Sequence, residues 1–146
     1  CCSDVSFPLL DTAKRNMVRL YMNDVGILTA LLYRYNIKPL RGDVPQINLG
    51  NVYECVTAMQ LASNGHDLYY TDNKKVGEVD FVIDDYDSLG TILIEVKSGK
   101  DYKNHKALDN FLKSNDTMEG VILSNSGNVE CDERIRYLPV YMSGFL

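Results

Sequence analysis

VGEVDFVIDDYDSLGTILIEVK, residues Val76 to Lys97, reads as two neighbouring β-strands joined by an acidic turn. In the first, Val79, Phe81 and Ile83 alternate with Glu78, Asp80 and Val82; in the second, Ile92, Ile94 and Val96 alternate with Leu93, Glu95 and Lys97. Successive strand residues point to opposite faces, so paired strands of this pattern bury one apolar face and carry charge on the other. That pairing gathers Asp80, Glu95 and Lys97 on the face away from Val79, Phe81, Ile92 and Val96. Two explanations fit. One is a site for a hard divalent cation beside a phosphate, because Mg²⁺ takes oxygen ligands, uses one or two carboxylates and leaves room for water and a phosphate oxygen. Lys97, on the same face as Glu95, would stabilise a phosphoryl transition state or orient the attacking water. The other is a solvated antiparallel sheet face, where Glu and Lys often stand two residues apart. The spacing is compatible with both.

N-terminal to this pair, Asp67 to Thr71 (DLYYT) is strand-like, and Asn73-Lys74-Lys75 turns it into the next strand. Gly50 to Ser63 (GNVYECVTAMQLAS) reads as a helix stopped by Asn64-Gly65. Val52, Cys55, Val56 and Met59 form one stripe of it, with Glu54, Ala58 and Leu61 on the other side, so it is expected to pack on two sides. Glu54 would then sit among partly buried neighbours, where a carboxylate needs a partner; a surface glutamate is the alternative. Residues 37–49 contain Pro39, Gly42, Asp43 and Pro45 and read as a loop. Before them, Val25, Leu28, Leu32 and Tyr35 recur at helical spacing and predict a core-packing helix capped by Asn23 or Asp24. Met17 to Met22 (MVRLYM) fits a short strand, and Cys1 to Asn16 shows no clear period.

C-terminal to the pair, Ser98-Gly99 ends the strand, and Ala107, Leu108, Phe111 and Leu112 give the apolar side of a third helix. Lys97, Lys100, Lys103 and Lys106 form a local basic cluster. It is either a solvated face or, beside a metal site, a set of phosphate contacts that add affinity without sequence specificity. Glu119 to Leu123 (EGVIL) reads as a buried strand, and Arg134 to Tyr141 (RIRYLPVY) as a last short strand ending near Pro139. His66 and His105 have no second His or Cys at ligand spacing and receive no role. No GxxxxGK[ST] stretch occurs, so this segment is not itself a P-loop ATPase site.

With 146 residues, the chain is expected to form one domain, 1–146, with a real hydrophobic core. Its 45% hydrophobic and 24% charged content is that of a soluble globular protein. No apolar run approaches the roughly 18 residues needed to span a bilayer, and the start does not look like a secretory signal, so no membrane is implied. The first residue is Cys1 rather than Met, which suggests a fragment. Four cysteines in neither a zinc nor a disulfide spacing suit a reducing, cytoplasmic setting. The net charge of -5 and pI near 4.9 argue against a generic nucleic-acid-binding surface. An acidic metal site would contribute to that balance and be neutralised locally by its ions.

The order helix, three strands, helix, strand, with Glu54 on the helix, Asp80 on the second strand and Glu95-Val96-Lys97 on the third, resembles the restriction-endonuclease-like PD-(D/E)xK superfamily. More narrowly, GNVYECVTAMQL, YYTDNKKVGEVDFVI and ILIEVKSGK look like the C-terminal domain, long labelled of unknown function, of a large group of prokaryotic AAA+ family ATPases. RLYMNDVGILTALL resembles that family's N-terminal strand and helix, so the resemblance covers about residues 17–125. It implies an α/β fold with a restriction-endonuclease-like core over about 50–125, a mixed β-sheet flanked by helices, and an N-terminal strand-helix extension over 1–49. An ATPase module would precede this chain in the full-length protein. By position the resemblance implies Asp80 and Glu95 as ligands for Mg²⁺ or Mn²⁺, with the Val96 backbone carbonyl completing the coordination. Lys97 would be the catalytic lysine and Glu54 the helix acid that assists metal or water. The strict Pro-Asp pair is absent, since Glu78-Val79 precede Asp80. The implied function is a metal-dependent phosphodiesterase acting on DNA. The alternative is a catalytically inactive nuclease-like fold serving as a protein or nucleic-acid interaction module for the ATPase, which the acidic pI favours.

Overall fold

A computed structural model describes residues 1–34, 38, 49–99 and 101–146. The expected loop at 37–49 lies outside them apart from Lys38 and Leu49, as do Tyr35 and the candidate phosphate contact Lys100. Strands β1 (Tyr69–Asn73), β2 (Gly77–Asp85), β3 (Gly90–Lys97), β4 (Met118–Ser124), β5 (Glu130–Asp132) and β6 (Ile135–Pro139) form one open six-stranded sheet in the order β1-β2-β3-β4-β6-β5. Helices α1 (Val25–Tyr33), α2 (Gly50–Ser63) and α3 (Lys106–Ser114) accompany it, with 3-10 turns at Leu9–Thr12 and Val140–Phe145.

The sheet is mixed for a reason visible in its connections. Short turns join β1, β2 and β3, and these pair antiparallel. Asn73 Oδ1 accepts from the Lys75 amide at 2.9 Å in the first turn. Asp85 holds the second through the Asp87 amide and the Ser88 hydroxyl. From β3 the chain crosses through α3 to β4, and that long connection lets the two strands run parallel. β6 also pairs parallel with β4, and β5 closes the far edge antiparallel to β6. Gly90 opens β3 at a place where a Cβ would stand 2.3 Å from the Thr117 carbonyl oxygen, so the close approach of the β4 end requires glycine.

Both faces of the sheet are covered. Cys2, Val5 and Leu9 of the N-terminal segment and Leu108, Phe111 and Leu112 of α3 pack on one face, against Val79, Val82, Leu93 and Ile122. On the other, Ala58 and Leu61 of α2 pack on Phe81, Ile83, Ile94, Val96 and Leu123, with Leu138 and the C-terminal turn beside them. The expectation of one apolar and one charged face is therefore corrected. Central strands covered on both sides carry near-continuous apolar runs, as FVI and ILI do here.

The alternation is also broken inside β2. Tyr69 pairs with Val82 and Thr71 with Val79, so β1 advances two residues while β2 advances three. The extra residue is a bulge at Asp80-Phe81, and beyond it Val79 rejoins Val82 on the α3 side while Phe81 faces α2. Val79 and Phe81 therefore do not share a face, contrary to the strict period-two reading.

Other boundaries agree or differ for local reasons. α2 spans Gly50–Ser63 as its sequence indicates, but its buried line is Val52, Cys55, Ala58 and Leu61. The expected stripe at Val56 and Met59 is only partly covered. α1 begins at the expected cap, with Asp24 Oδ1 accepting from the Ile27 amide at 3.0 Å. It is not a core helix, however: none of its residues is buried, and Ile27, Leu31 and Leu32 are exposed. Met17–Met22 forms no regular element and joins no strand, and β5, which has no apolar alternation, was not expected. All four cysteines are free thiols, and no described helix is long and apolar enough to cross a membrane.

Candidate active site

The paired register of β2 and β3 runs from Asp85↔Gly90 to Phe81↔Ile94. Just past that point, at the bulge, the Asp80 side chain takes over: its Oδ2 accepts from the Val96 amide at 2.8 Å. The carboxylate thus fills the position of a ladder carbonyl where the two strands part. Burial pushes the Asp80 carboxyl above its usual range, opposed by the Val96 N–H and by the charges of Arg19 and Lys97.

Glu95 is buried, and its Oε1 is held by Lys97 Nζ at 2.5 Å. Its Oε2 is buried with no hydrogen-bond partner among the described residues. Ile94 and Val96 belong to the α2-side core, so strand alternation turns Glu95 and Lys97 toward the α3 side. Burial raises the Glu95 carboxyl; the hydrogen bond and charge of Lys97 oppose this, the Asp80 charge adds to it, and His105 is near enough to oppose it as well.

Glu54 comes from α2, on the other face. Its carboxyl is raised by burial first and by the Asp80 charge second, with Arg19 acting against both. Asp80 is the hub of the group: at the bulge it is coupled to Glu54 on one side and to Glu95 and Lys97 on the other. The structure brings the four sequence-derived residues into one electrostatic cluster, but on two sides of an opened strand pair rather than on one flat face. A freely solvated face is excluded, since Glu95 is only 9% exposed.

Of the candidate phosphate contacts, Lys103 is engaged elsewhere. Its Nζ meets Glu130 Oε2 at 2.9 Å and lies over the Tyr102 and Tyr137 rings. Lys106 is exposed at the start of α3. Among the described residues, no group of three or more His, Cys, Asp or Glu side chains is placed to hold a metal ion.

A family profile described as Domain of unknown function (DUF4143) matches residues 49–142. The chain belongs to this family. No curated protein and no solved structure matches it. The span matched by the DUF4143 family contains Glu54, Asp80, Glu95, Val96 and Lys97, so the whole acidic cluster is part of the domain and not of the N-terminal extension.

Two neighbours of the cluster escaped the sequence reading. Arg19 pairs with Glu78, stacks on the Tyr70 ring with 4.2 Å between guanidinium and centroid, and lines a cleft of about 560 Å³ together with Tyr21, Met22, Leu28, Asn51 and Glu54. The only local signal was that Arg19 and Tyr21 alternate in MVRLYM, two apart. His105 is buried, with Nδ1 2.9 Å from Asp109 Oδ1 and Nε2 2.8 Å from the Tyr137 hydroxyl. Its partner Asp109, one helical turn on, was the readable sign.

Proposed function

We propose that this DUF4143 domain is a nuclease-like domain of the restriction-endonuclease-like PD-(D/E)xK type, acting as a Mg²⁺- or Mn²⁺-dependent phosphodiesterase on DNA and working with an AAA+ ATPase module in the full-length protein. The observation that carries the reading is the buried Glu95 Oε2, which has no partner among the described residues and lies beside Asp80 at the end of the β2–β3 ladder. An orphaned anionic oxygen next to a second carboxylate is costly unless a cation or water completes it. Asp80 and Glu95 would hold the ion, with the Val96 carbonyl as third protein donor. Two carboxylates suit Mg²⁺, which keeps several positions for water and phosphate. When bound, the ion supplies positive charge to the phosphodiester and makes water more acidic.

The chain's own residues account for the rest. Lys97, held within 2.5 Å of Glu95, stands ready to stabilise negative charge growing on the phosphate. Glu54, whose raised carboxyl favours the protonated form more than a solvated glutamate does, can accept or return a proton on the opposite side. The covered sheet faces limit the water around these groups. Metal-dependent cleavage of plasmid or oligonucleotide DNA by the wild type, abolished in Lys97→Ala and Asp80→Asn, is the expected result; cleavage unchanged in Lys97→Ala would remove the lysine from the mechanism.

The interaction-module reading draws on a different observation. The net charge is -5, and Glu95 and Glu130 already occupy Lys97 and Lys103. An Asp80→Asn, Glu95→Gln double variant that binds the ATPase or nucleic acid as well as wild type, from a wild type that cleaves nothing, would favour it.

A further inference from the structure

The acidic cluster has a cation on each side. Lys97 stands at Glu95, and Arg19, outside the matched family span, stands at Glu54 and Asp80. Arg19 is brought there by the segment 17–22, which lies against the bulged part of the sheet: Tyr21 packs on Phe81 with centroids 5.3 Å apart, and Arg19 itself lies over Tyr70 and pairs with Glu78. The wall of the cleft between this segment and α2 combines one guanidinium, the Glu54 carboxylate, the Asn51 amide and the apolar side chains of Met22 and Leu28. Its volume, about 560 Å³, is in the range that accommodates a nucleotide-sized group.

A guanidinium has five donors in a planar fork; Glu78 can occupy only two of them and the neighbouring Tyr21 hydroxyl one more. Glu78 is half-exposed, with 49% of its side chain accessible, so the pair is solvent-screened and readily exchanged. The guanidinium carbon lies 4.2 Å from the Tyr70 ring centroid, a cation–π contact that helps position the group. A polyanion approaching three carboxylates needs fixed cations on both sides of them. We propose that Arg19 is a phosphate-binding residue of this site, gripping a backbone phosphate of a nucleic-acid strand whose adjoining nucleotide enters the cleft against Met22 and Leu28. Glu78 parks the guanidinium until the strand displaces it. This assignment rests on the nuclease reading above and adds to it a contact supplied from outside the span matched by the family, 49–142.

The test is fluorescence anisotropy with a labelled single-stranded DNA oligonucleotide of mixed sequence, with Ca²⁺ replacing Mg²⁺, over a range of NaCl concentrations. Arg19→Gln is expected to weaken binding several-fold and to lower the slope of log K against log salt by about 0.7, the loss of one phosphate contact on a single strand. Arg19→Lys should restore the slope but not all the affinity, since it keeps the charge and loses the fork. Glu78→Gln should tighten binding by freeing the guanidinium, and this variant carries the test if Arg19→Gln does not fold. Wild-type binding with an unchanged slope in folded Arg19→Gln, or no tightening in Glu78→Gln, overturns the Arg19 assignment alone. Displacement of the strand by inorganic phosphate at constant ionic strength would show a free-anion site and overturn the strand contact. A wild type that binds no DNA at low salt overturns the nuclease reading and this inference with it.

Discussion

Lys97→Ala strips Glu95 of its one side-chain partner among the described residues. In the wild type Glu95 is 9% exposed, Oε1 is held at 2.5 Å by Lys97, and Oε2 has no partner among the described residues. The substitution leaves neither oxygen of a buried carboxylate with a partner among the described residues. Removing one member of a fully buried pair costs about 3–5 kcal/mol. Lys97 keeps 29% of its side chain in solvent, and Glu95 can take up a proton, so about 2 kcal/mol at pH 7 is the expected loss. For a chain of this size that lowers Tm by about 4–8 °C. The sign with pH follows from Glu95. Its carboxyl is raised in the folded protein by burial, and Lys97 opposes that rise, so removing the lysine raises it further. The destabilisation is complete above the folded-state titration of Glu95 and fades as pH falls through it, because the protonated acid no longer needs the cation. Urea unfolding of wild type, Lys97→Ala, Glu95→Gln and the double variant closes the cycle. The Lys97→Ala loss should shrink to below about 0.5 kcal/mol in the Glu95→Gln background, where there is no charge to strand. An equal loss in both backgrounds would mean that Lys97 contributes through packing of its stem, and that the ion pair at the strand end is not what holds it.

Asp80→Asn keeps an oxygen for the Val96 amide while deleting a carboxylate that burial pushes up; it should stabilise the metal-free protein at pH 7 by about 0.5–2 kcal/mol in urea titrations. An acid whose folded-state titration is raised is a burden when ionised, so the gain should disappear as pH falls through that titration toward the unfolded value, and a gain that grew toward acid would contradict the burial argument. His105→Ala leaves the buried Tyr137 hydroxyl without its 2.8 Å partner and should cost about 1–3 kcal/mol; if that hydrogen bond is responsible, part of the loss returns in a Tyr137→Phe background.

The sequence carried the helix α2, the β2–β3 pair, α3 and β4 to within a few residues because each declares itself locally, by period, by turn residues or by an uninterrupted apolar run. It also singled out Glu54, Asp80, Glu95 and Lys97, which lie on three elements, α2, β2 and β3, and whose charges the topology brings within reach of Asp80. What it could not carry depends on the partner of a strand. The bulge at Asp80-Phe81 is a mismatch of count between β1 and β2, and nothing in EVDFVI marks the extra residue. That hidden residue decides which face Asp80 serves, so the flat-face picture failed there. α1 failed for another reason: VGILTALLY is apolar almost all round, and such a helix has no polar face to show which side, if any, the core will take. Arg19 reaches Glu78 and Tyr70 from more than 50 residues away, a contact no spacing rule can reveal.

The central claim is that Asp80 and Glu95 form a cation site, and calorimetric titration of the purified chain with Mn²⁺ tests it most directly. The account predicts saturable binding to the folded wild type that is lost in Asp80→Asn, a variant that keeps the Val96 hydrogen bond and therefore the fold. No binding to a well-folded wild type, or equal binding to Asp80→Asn, would contradict it.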